Sequence, residues 1–565
     1  MTNLWANSLA RSRYPLAILA GVALAASFPP IGMAGLAWIA PGLMAAAALG
    51  NIGWKRFRIG YVAGLAYYLT ELYWLLLIPY RWHGIPFGPA AGWLSLGAFL
   101  ALFPAAWVWV VGRTPQGASG DSEERRTWSV EESLPATWLS RTGWALSGAA
   151  VWVALEMILT RIFGGFPWDL LGVSQYQMTP LIQIASFAGV YGVSFLIVWC
   201  SLSLVSAAAK IFRHSGTSRT WAGEVFLPAI VVALTFNLGF RQIHQSAAPA
   251  RTLRVTAMQP SIPQTLIWDE SKNDERFHEL LRLCDQVLTN QTDLILWPES
   301  AVPDLLRYDT NTFEAVTGLA RRHHAWMIIC ADDAELRPGS NSFKDADFFN
   351  SSFLISPEGR IADRYIKRNL VIFGEYIPLV RWLPFVKWFT PIQGGFTPGT
   401  RANPFEFREK DLAVSTSVLI CFEDIFPQLG REGTRTNTDF LVNLTNDGWF
   451  DESAAQWQQA ATGLFRAVEN HVPLIRCTNN GLTCWVDACG RMREVFRDER
   501  NSVYGAGFMT FEIPVLAGAT RPRTFYNEHG DWFGWACVGL AVLMVARKRK
   551  QLMSIGAQNS NPARQ

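Results

Sequence analysis

Long apolar stretches alternate with short polar loops along the first 245 residues of the chain, and one more apolar stretch lies near its carboxyl end. A helix needs roughly 20 apolar residues to cross the hydrocarbon core of a bilayer, so each stretch is predicted to be a transmembrane helix. The first one resembles a signal peptide, but further apolar stretches follow it at once, so it is predicted to stay uncleaved. The predicted helices are 14–31, 34–51, 59–79, 89–111, 144–163, 181–208, 226–242 and 531–546.

Basic residues are distributed unevenly between the loops, and cytoplasmic loops of membrane proteins carry the excess of Lys and Arg. With the amino terminus in the cytoplasm, the loops on that side are basic, whereas the opposite loops carry little beyond Arg81 and Arg161. Seven crossings then place the segment after residue 245 on the outer face, and the eighth returns the tail to the cytoplasm. The basic residues on the cytoplasmic side are Lys55, Arg56, Arg58, Arg113, Arg125, Arg126, Lys210, Arg213, Arg219 and the run Arg547, Lys548, Arg549, Lys550.

The loop 114–142 is rich in Gly, Ser and Glu, a composition typical of solvated segments. It is predicted to be a mobile cytoplasmic insertion without chemistry of its own. The whole pattern predicts four parts. They are a transmembrane domain of seven helices at 1–244, an extracytoplasmic domain at 245–525, an eighth transmembrane helix with a basic stop at 526–550, and a polar tail at 551–565.

From residue 251 the pattern changes to short β-branched runs separated by helical stretches, which is typical of an α/β domain. Turns at 357–360 and 488–491 are expected to connect paired strands. This order predicts two sheets flanked by helices. Strands are predicted at 253–258, 294–297, 326–331, 352–356, 417–421, 440–444, 474–478 and 503–511, and helices at 272–289, 312–323 and 454–470.

Composition narrows the classes of function. The formal charge is only +3, so no surface for nucleic acid is expected. The 25 tryptophans suit a protein with side chains at membrane–water boundaries. The eight cysteines stand singly, without a CxxC pair or a Cys/His cluster, so neither a metal site nor a cofactor is predicted. A disulfide between Cys484 and either Cys489 or Cys477 is permitted outside the cytoplasm and is left open.

Three charged or nucleophilic residues follow predicted strands. Cys421 ends the apolar run 418–420 and is followed by Glu423, and Glu299 ends the run 294–297 after a proline that interrupts the ladder. Lys367 follows a hairpin strand, with Glu375 eight residues later. Taken singly, such a cysteine is usually a buried apolar residue, such a glutamate can equally cap a helix or lie at the surface, and such a lysine is normally solvated.

Together, these segments resemble the nitrilase superfamily, whose Glu, Lys and Cys occur in this order at strand ends. With the transmembrane helices added, the whole chain resembles the apolipoprotein N-acyltransferase family, as do the segments 258–264 and 443–450. The resemblance implies an α-β-β-α sandwich on the periplasmic side of a bacterial inner membrane. Phe422 and Ile372 depart from the family pattern, which usually has Tyr and Pro there, so a role for the tyrosine hydroxyl is in doubt.

The resemblance also implies roles for the residues. Cys421 is the expected nucleophile, Glu299 the base, and Lys367 a cation that favours the thiolate and, with the backbone N–H of Phe422, holds the oxyanion. Supporting roles are expected for Glu375, which orients Lys367, and for Glu423, which either holds the active-site loop or contacts substrate. A lipid path is expected to be lined by Trp268, Phe373 and Trp449.

The implied reaction moves an acyl group from a membrane phospholipid, expected to be phosphatidylethanolamine, through a thioester on Cys421. The acceptor is the α-amine of a diacylglyceryl-cysteine lipoprotein. The apolar segment 379–396 is read either as a lid or as a packed amphipathic helix, and a monomer is expected. Two alternatives stay open, namely a membrane-tethered amidase of the nitrilase type and an inactive lipid-binding scaffold.

Overall fold

The computed structural model describes residues 13–79, 87–112, 134–213, 221–245, 251–267, 269–289, 292–339, 342–377 and 395–559. Helices form the first part of the chain and two β-sheets the second. The helices are α1 (Arg13–Ala25), α2 (Ala40–Ala48), α3 (Trp54–Glu71), α4 (Gly88–Leu100), α5 (Leu102–Val111), α6 (Trp138–Leu159), α7 (Thr179–Ile182), α8 (Ala185–Ala188), α9 (Val190–Arg213), α10 (Ala222–Gln245), α11 (Gln264–Ile267), α12 (Asn273–Asp285), α13 (Thr310–His323), α14 (Pro427–Gly433), α15 (Ala455–Asn470), α16 (Phe525–His529) and α17 (Trp532–Asn559).

Four helical segments are long and apolar enough to cross a membrane within the described residues. They are Gly88–Val111, Trp138–Leu159, Val190–Phe212 and Ala222–His244. Shorter apolar helices occupy Arg13–Ala25, Ala34–Ala48, Thr179–Ala188 and Trp532–Ala546. Helix α3 begins with basic residues and ends at Glu71, which leaves its apolar part short. The count of eight spans therefore stays a prediction.

Several predicted helix bounds differ from the structure, and two of the differences have a clear physical cause. The predicted stretch 181–208 is broken at Gly189, which has a φ of +67°, and α9 begins anew at Val190, whose N–H donates to Glu469 Oε1 at 3.0 Å. Helix α6 begins at Trp138, inside the predicted mobile insertion 114–142, because Thr137 caps it by accepting from the N–H of Ser140 at 3.3 Å. Residues 113–133 of that insertion lie outside the described part of the chain.

Two six-stranded sheets form the second part. The first has the order β12-β1-β2-β3-β4-β5 and the second β11-β10-β9-β8-β7-β6. In each sheet the three central strands run parallel, and the outer strands are antiparallel to their neighbours. The strands are β1 (Arg251–Gln259), β2 (Leu294–Leu296), β3 (Trp326–Leu336), β4 (Ala346–Ile355), β5 (Ile361–Ile366), β6 (Phe405–Glu409), β7 (Leu412–Ile420), β8 (Phe440–Thr445), β9 (Leu474–Thr478), β10 (Cys484–Val486), β11 (Met492–Val495) and β12 (Gly507–Val515).

The sheets and helices form the predicted α-β-β-α sandwich. One apolar cluster lies between the two sheets, and a second packs α12 and α13 on the outside of the first sheet. A third cluster joins the second sheet and α15 to the membrane helices. The carboxyl ends of the parallel strands meet at one end of the sandwich, which is where such sheets place ligands.

The predicted strand 503–511 lies four residues too early. β12 pairs with the whole of β1, from Arg251 opposite Val515 to Gln259 opposite Gly507. The preceding residues instead form a loop, whose carbonyl oxygens at Val503 and Gly505 accept from Gln259 Nε2 at 2.7 and 2.8 Å. All eight cysteines carry free thiols, so neither disulfide that the sequence left open is formed.

Gln458 on α15 joins the sandwich to the membrane helices. Its buried side-chain oxygen accepts from the indole N–H groups of Trp74 and Trp168, each at 2.9 Å. Its side-chain nitrogen donates to Glu71 Oε1 at 2.6 Å and to the carbonyl of Pro29 at 3.1 Å. All four partners belong to the membrane part, so one amide fixes the position of α15.

Gln458→Ala is expected to destabilise the protein by roughly 3 kcal/mol or more, because each buried polar group left without a partner costs about 1–3 kcal/mol. The apparent melting temperature of the full chain in detergent measures this. Gln177→Ala removes the same side chain at an exposed position and is expected to leave the melting temperature unchanged. Equal melting of the two variants would contradict the role given to Gln458.

Candidate active site

Cys421 lies directly after β7, at the start of the 3-10 turn Cys421–Ile425. Its φ of +54° is unfavourable for a residue with a side chain. Two amide side chains hold its carbonyl oxygen, which accepts from Asn443 Nδ2 at 2.8 Å and from Gln459 Nε2 at 3.2 Å. The strand end and these contacts present the thiol at a fixed position.

A buried ion cluster surrounds Lys367, which is 1% exposed. Its ammonium donates to Glu299 Oε1 at 3.2 Å and to Glu375 Oε1 at 2.8 Å. Asn350 Nδ2 bridges the same two oxygens, at 2.8 Å to Glu299 and 2.9 Å to Glu375. The structure thus brings together Glu299, Lys367 and Glu375, three of the residues that the sequence predicts for the site.

The backbone fixes the remaining carboxylate oxygens. Glu299 Oε2 accepts from the N–H of Asn446 at 3.2 Å, and Glu375 Oε2 accepts from the N–H of Val371 at 2.8 Å. Both carboxylates are held on two sides, so their orientation toward Lys367 is set before any substrate arrives.

The surrounding charges and burial shift the pKa values of the Lys367 ammonium and the Cys421 thiol. Burial lowers the pKa of Lys367, but Glu299, Glu375 and Cys421 together raise it well above its ordinary value, so the ammonium stays charged. Burial raises the pKa of Cys421, Glu299 raises it further, and Lys367 lowers it, with a net pKa well above the usual one. Lys367 therefore favours the thiolate as expected, but burial and Glu299 outweigh it. The surroundings of Cys421 therefore favour the protonated thiol over the thiolate.

Glu423 is fully buried and accepts four hydrogen bonds. Oε1 accepts from the N–H groups of Arg368 and Asn369 at 2.7 and 3.0 Å. Oε2 accepts from the N–H of Ile420 at 2.8 Å and from the Tyr365 hydroxyl at 2.9 Å. These contacts connect the turn that contains Cys421 to the segment that carries Lys367. Of the two roles that the sequence left open, the geometry supports the positioning one.

The other predicted residues are more scattered. The Phe422 ring lies over the Lys367 ammonium, with 5.8 Å from Nζ to the ring centroid. Phe373 is 45% exposed and Trp449 is half-buried. Trp268 and residues 378–394, which include most of the predicted lid, lie outside the described residues.

Sequence reasoning missed the amide side chains of the site. Asn350 lies on β4 and holds two carboxylates, and Gln459 lies on α15 and holds the nucleophile's backbone. A buried Asn within an apolar strand is a usable signal, because such a group needs partners. Asn443 and Asn446 fall in the segment 443–450 that was noted only for its resemblance.

The fold and the site define a carbon–nitrogen hydrolase domain, and residues 254–509 match the family model for carbon-nitrogen hydrolases. Residues 20–203 match the model for the amino-terminal domain of apolipoprotein N-acyltransferases. The apolipoprotein N-acyltransferase of Geobacter metallireducens is 34% identical over 551 residues, which cover 96% of each chain. The chain therefore belongs to the apolipoprotein N-acyltransferase family and is an acyltransferase.

A further curated relative is also similar along almost the whole chain. The apolipoprotein N-acyltransferase of Methylococcus capsulatus is 29% identical and covers 97% of this chain and 99% of its own length. Among solved structures, the carbon-nitrogen hydrolase of Helicobacter pylori is 15% identical, covers 47% of this chain and 89% of its own, and has a TM-score of 0.34. The similarity to this hydrolase covers about half of the chain, whereas the two acyltransferases are similar along nearly its whole length.

Glu299→Gln is expected to lower the pKa of the Cys421 thiol, because the substitution removes the carboxylate that opposes the thiolate. Alkylation of Cys421 by iodoacetamide, followed by peptide mass between about pH 6 and about pH 10, is then expected to accelerate at lower pH than in the wild type. Glu358→Gln makes the same change at an exposed turn and is expected to keep the wild-type profile. A profile displaced to higher pH would overturn this account of the electrostatics.

Glu423→Gln is expected to cost roughly 2 kcal/mol or more of folding stability, because the new NH₂ group faces the N–H of Ile420 and one buried donor loses its acceptor. Thermal unfolding measures the loss. Glu432→Gln is the matched control, since Glu432 is exposed and pairs with Arg368 at 2.7 Å, and it is expected to change stability by less than about 1 kcal/mol. A larger loss in the control than in Glu423→Gln would contradict the prediction.

Proposed function

We propose that the protein transfers a fatty acyl group from a membrane phospholipid, through a thioester on Cys421, to the α-amine of the amino-terminal diacylglyceryl-cysteine of lipoproteins. The observation that carries the proposal is the buried Lys367 between Glu299 and Glu375 beside a thiol, in a chain similar along 96% of its length to a named apolipoprotein N-acyltransferase. Catalytic roles are proposed for Cys421, Glu299 and Lys367.

In the first half-reaction Glu299 takes the thiol proton of Cys421, and the sulfur attacks the carbonyl carbon of a phospholipid ester. The oxyanion is held by the Lys367 ammonium and by the backbone N–H of Phe422, which lies in the first turn of a 3-10 helix and has no partner within that helix. The carbon–oxygen bond then breaks. The leaving oxygen takes the proton back from Glu299, which releases lysophospholipid and leaves the thioester.

In the second half-reaction the neutral α-amine of the acceptor attacks the thioester carbon, and Glu299 accepts the amine proton. The carbon–sulfur bond breaks, and the departing thiolate of Cys421 takes that proton from Glu299. An amide has formed and the free thiol has returned, so the cycle is ping-pong.

The membrane helices fit a reaction between two lipids. Moving an acyl chain into water costs about 0.8 kcal/mol per CH₂, and a site joined to membrane helices avoids most of this cost. We further propose that the chain is a monomer of the bacterial inner membrane with both termini in the cytoplasm. Its proposed parts are seven helices at 1–244, a periplasmic catalytic domain at 245–525 and an eighth helix at 526–550. Phosphatidylethanolamine is the proposed donor.

Intact mass spectrometry of the detergent-purified protein with phosphatidylethanolamine tests the proposal, with Cys421→Ala as the comparison. The wild type is expected to gain one acyl mass, and Cys421→Ala none. Addition of a diacylglyceryl-cysteine peptide is expected to remove the acyl mass and to yield an N-acylated peptide.

Two results would overturn the proposal. Loss of the acyl mass to water at the same rate with and without peptide would identify an amidase-like hydrolase. An enzyme that gains no acyl mass and acylates no peptide would indicate a scaffold without activity. Cys284→Ala removes a buried thiol outside the ion cluster and controls for the loss of a cysteine as such.

A further inference from the structure

A cavity of about 550 Å³ lies next to the ion cluster. Its walls come from α12, from the segment 300–304 that follows Glu299, from the end of β3 and from Asn350 on β4. Asn350 is the residue whose amide bridges Glu299 and Glu375. Through Asn350 the cavity therefore borders the ion cluster on the side of the first sheet, although Glu299, Lys367 and Cys421 do not line it themselves.

Carboxylates dominate the charge of this cavity. Glu270, Asp304 and Asp332 line it, against a single guanidinium from Arg276. Arg276 already donates to Asn273 Oδ1 at 3.0 and 3.2 Å and to the carbonyl of Ser300 at 3.1 Å. Within the described part of the chain, none of the three carboxylates forms an ion pair.

Asp332 is the carboxylate nearest to the catalytic groups along the sheet. It lies directly opposite Asn350 in the register of β3 and β4, and side chains of such pairs are about 5 Å apart at Cβ. Its side chain is accessible from the cavity. Desolvation and the charges of Glu299 and Glu375 raise the pKa of Asp332 to about 7, although the positive charges of Lys367 and Arg276 lower it. A bound cation would stabilise the ionised form.

We infer that this cavity binds the primary ammonium of the acceptor lipoprotein, with Asp332 as its counter-ion. This inference rests on the proposed function and identifies the chemical group that the cavity binds. An α-amine has a pKa near 7.7–8.0, so it arrives largely as an ammonium. The ammonium loses one proton to solvent through the open cavity before attack. The neutral amine then lies near Glu299, the proposed acceptor of the second proton, which leaves as the amide forms and returns to the Cys421 sulfur.

Phosphatidylethanolamine carries a primary ammonium as well, but the position of the cavity favours the acceptor. Helix α12, which forms one wall, packs on the outside of the first sheet. Helix α15, which contacts the membrane part through Gln458, lies on the other side of the sandwich. The α-amine of the acceptor must itself reach the acyl carbonyl near Glu299, whereas in phosphatidylethanolamine the phosphate and the glycerol backbone separate the ammonium from the ester carbonyl. A cavity next to the ion cluster therefore suits the acceptor amine.

The test separates the two half-reactions in Asp332→Asn, which keeps the size of the side chain and removes its charge. The acylation rate of Cys421 is measured with phosphatidylethanolamine and with phosphatidylglycerol, which has no ammonium. The isolated acyl-enzyme is then mixed with a diacylglyceryl-cysteine peptide in single-turnover experiments. Glu358→Gln is the matched control, with the same loss of charge at an exposed turn.

Asp332→Asn is expected to raise the half-saturating peptide concentration about tenfold, which corresponds to about 1.4 kcal/mol, with both acylation rates unchanged. The N-acetylated peptide has no ammonium, so it is expected to inhibit the wild type and Asp332→Asn equally. A variant that slows acylation from phosphatidylethanolamine alone would assign the cavity to the donor and overturn the inference. A variant identical to Glu358→Gln in both steps would overturn it as well. Failure of the proposed function is seen separately, as a wild type that forms no thioester.

Discussion

A lysine ammonium enclosed between two carboxylates is the interaction on which the rest of the site depends. Removing a charge from water is so costly that a buried ion needs good partners on every side. Lys367 has them in Glu299 and Glu375, and Asn350 holds both acceptors in place. Two carboxylates against one ammonium leave a net negative charge near Cys421, and this excess, together with burial, raises the pKa of the thiol.

The second constraint is the backbone conformation at Cys421, the proposed nucleophile. A positive φ at Cys421 is unfavourable, and the surrounding contacts offset it through Glu423, Asn443 and Gln459. Gln459 is the neighbour of Gln458, which is held entirely by the membrane part. Two adjacent side chains on α15 thus connect the membrane helices with the carbonyl of the nucleophile, so that docking of the two domains and placement of the sulfur are linked.

Much of the catalytic fold was predictable because its signals are local. The predicted helices 312–323 and 454–470 agree with α13 and α15 to within two residues, and the resemblance of three short segments to the nitrilase superfamily indicated Glu299, Lys367 and Cys421. The features that the sequence did not predict depend on contacts between residues that are far apart in the chain. Asn350 meets Glu299 across 51 residues, and α9 begins where Glu469 of the other domain caps it. No local pattern encodes such pairs.

The ion cluster also limits how the proposed cycle can proceed. Glu299 is the only proposed base, and in each half-reaction it holds one proton between the attack and the departure of the leaving group. A thiol proton and an amine proton cannot be held there together, so the donor must leave before the acceptor can be deprotonated. Because the pKa of Lys367 is raised well above its ordinary value, the ammonium can stabilise both oxyanions of the proposed cycle without taking part in this proton exchange. A ping-pong order therefore follows from one carboxylate that is free to change its protonation and one ammonium that is not.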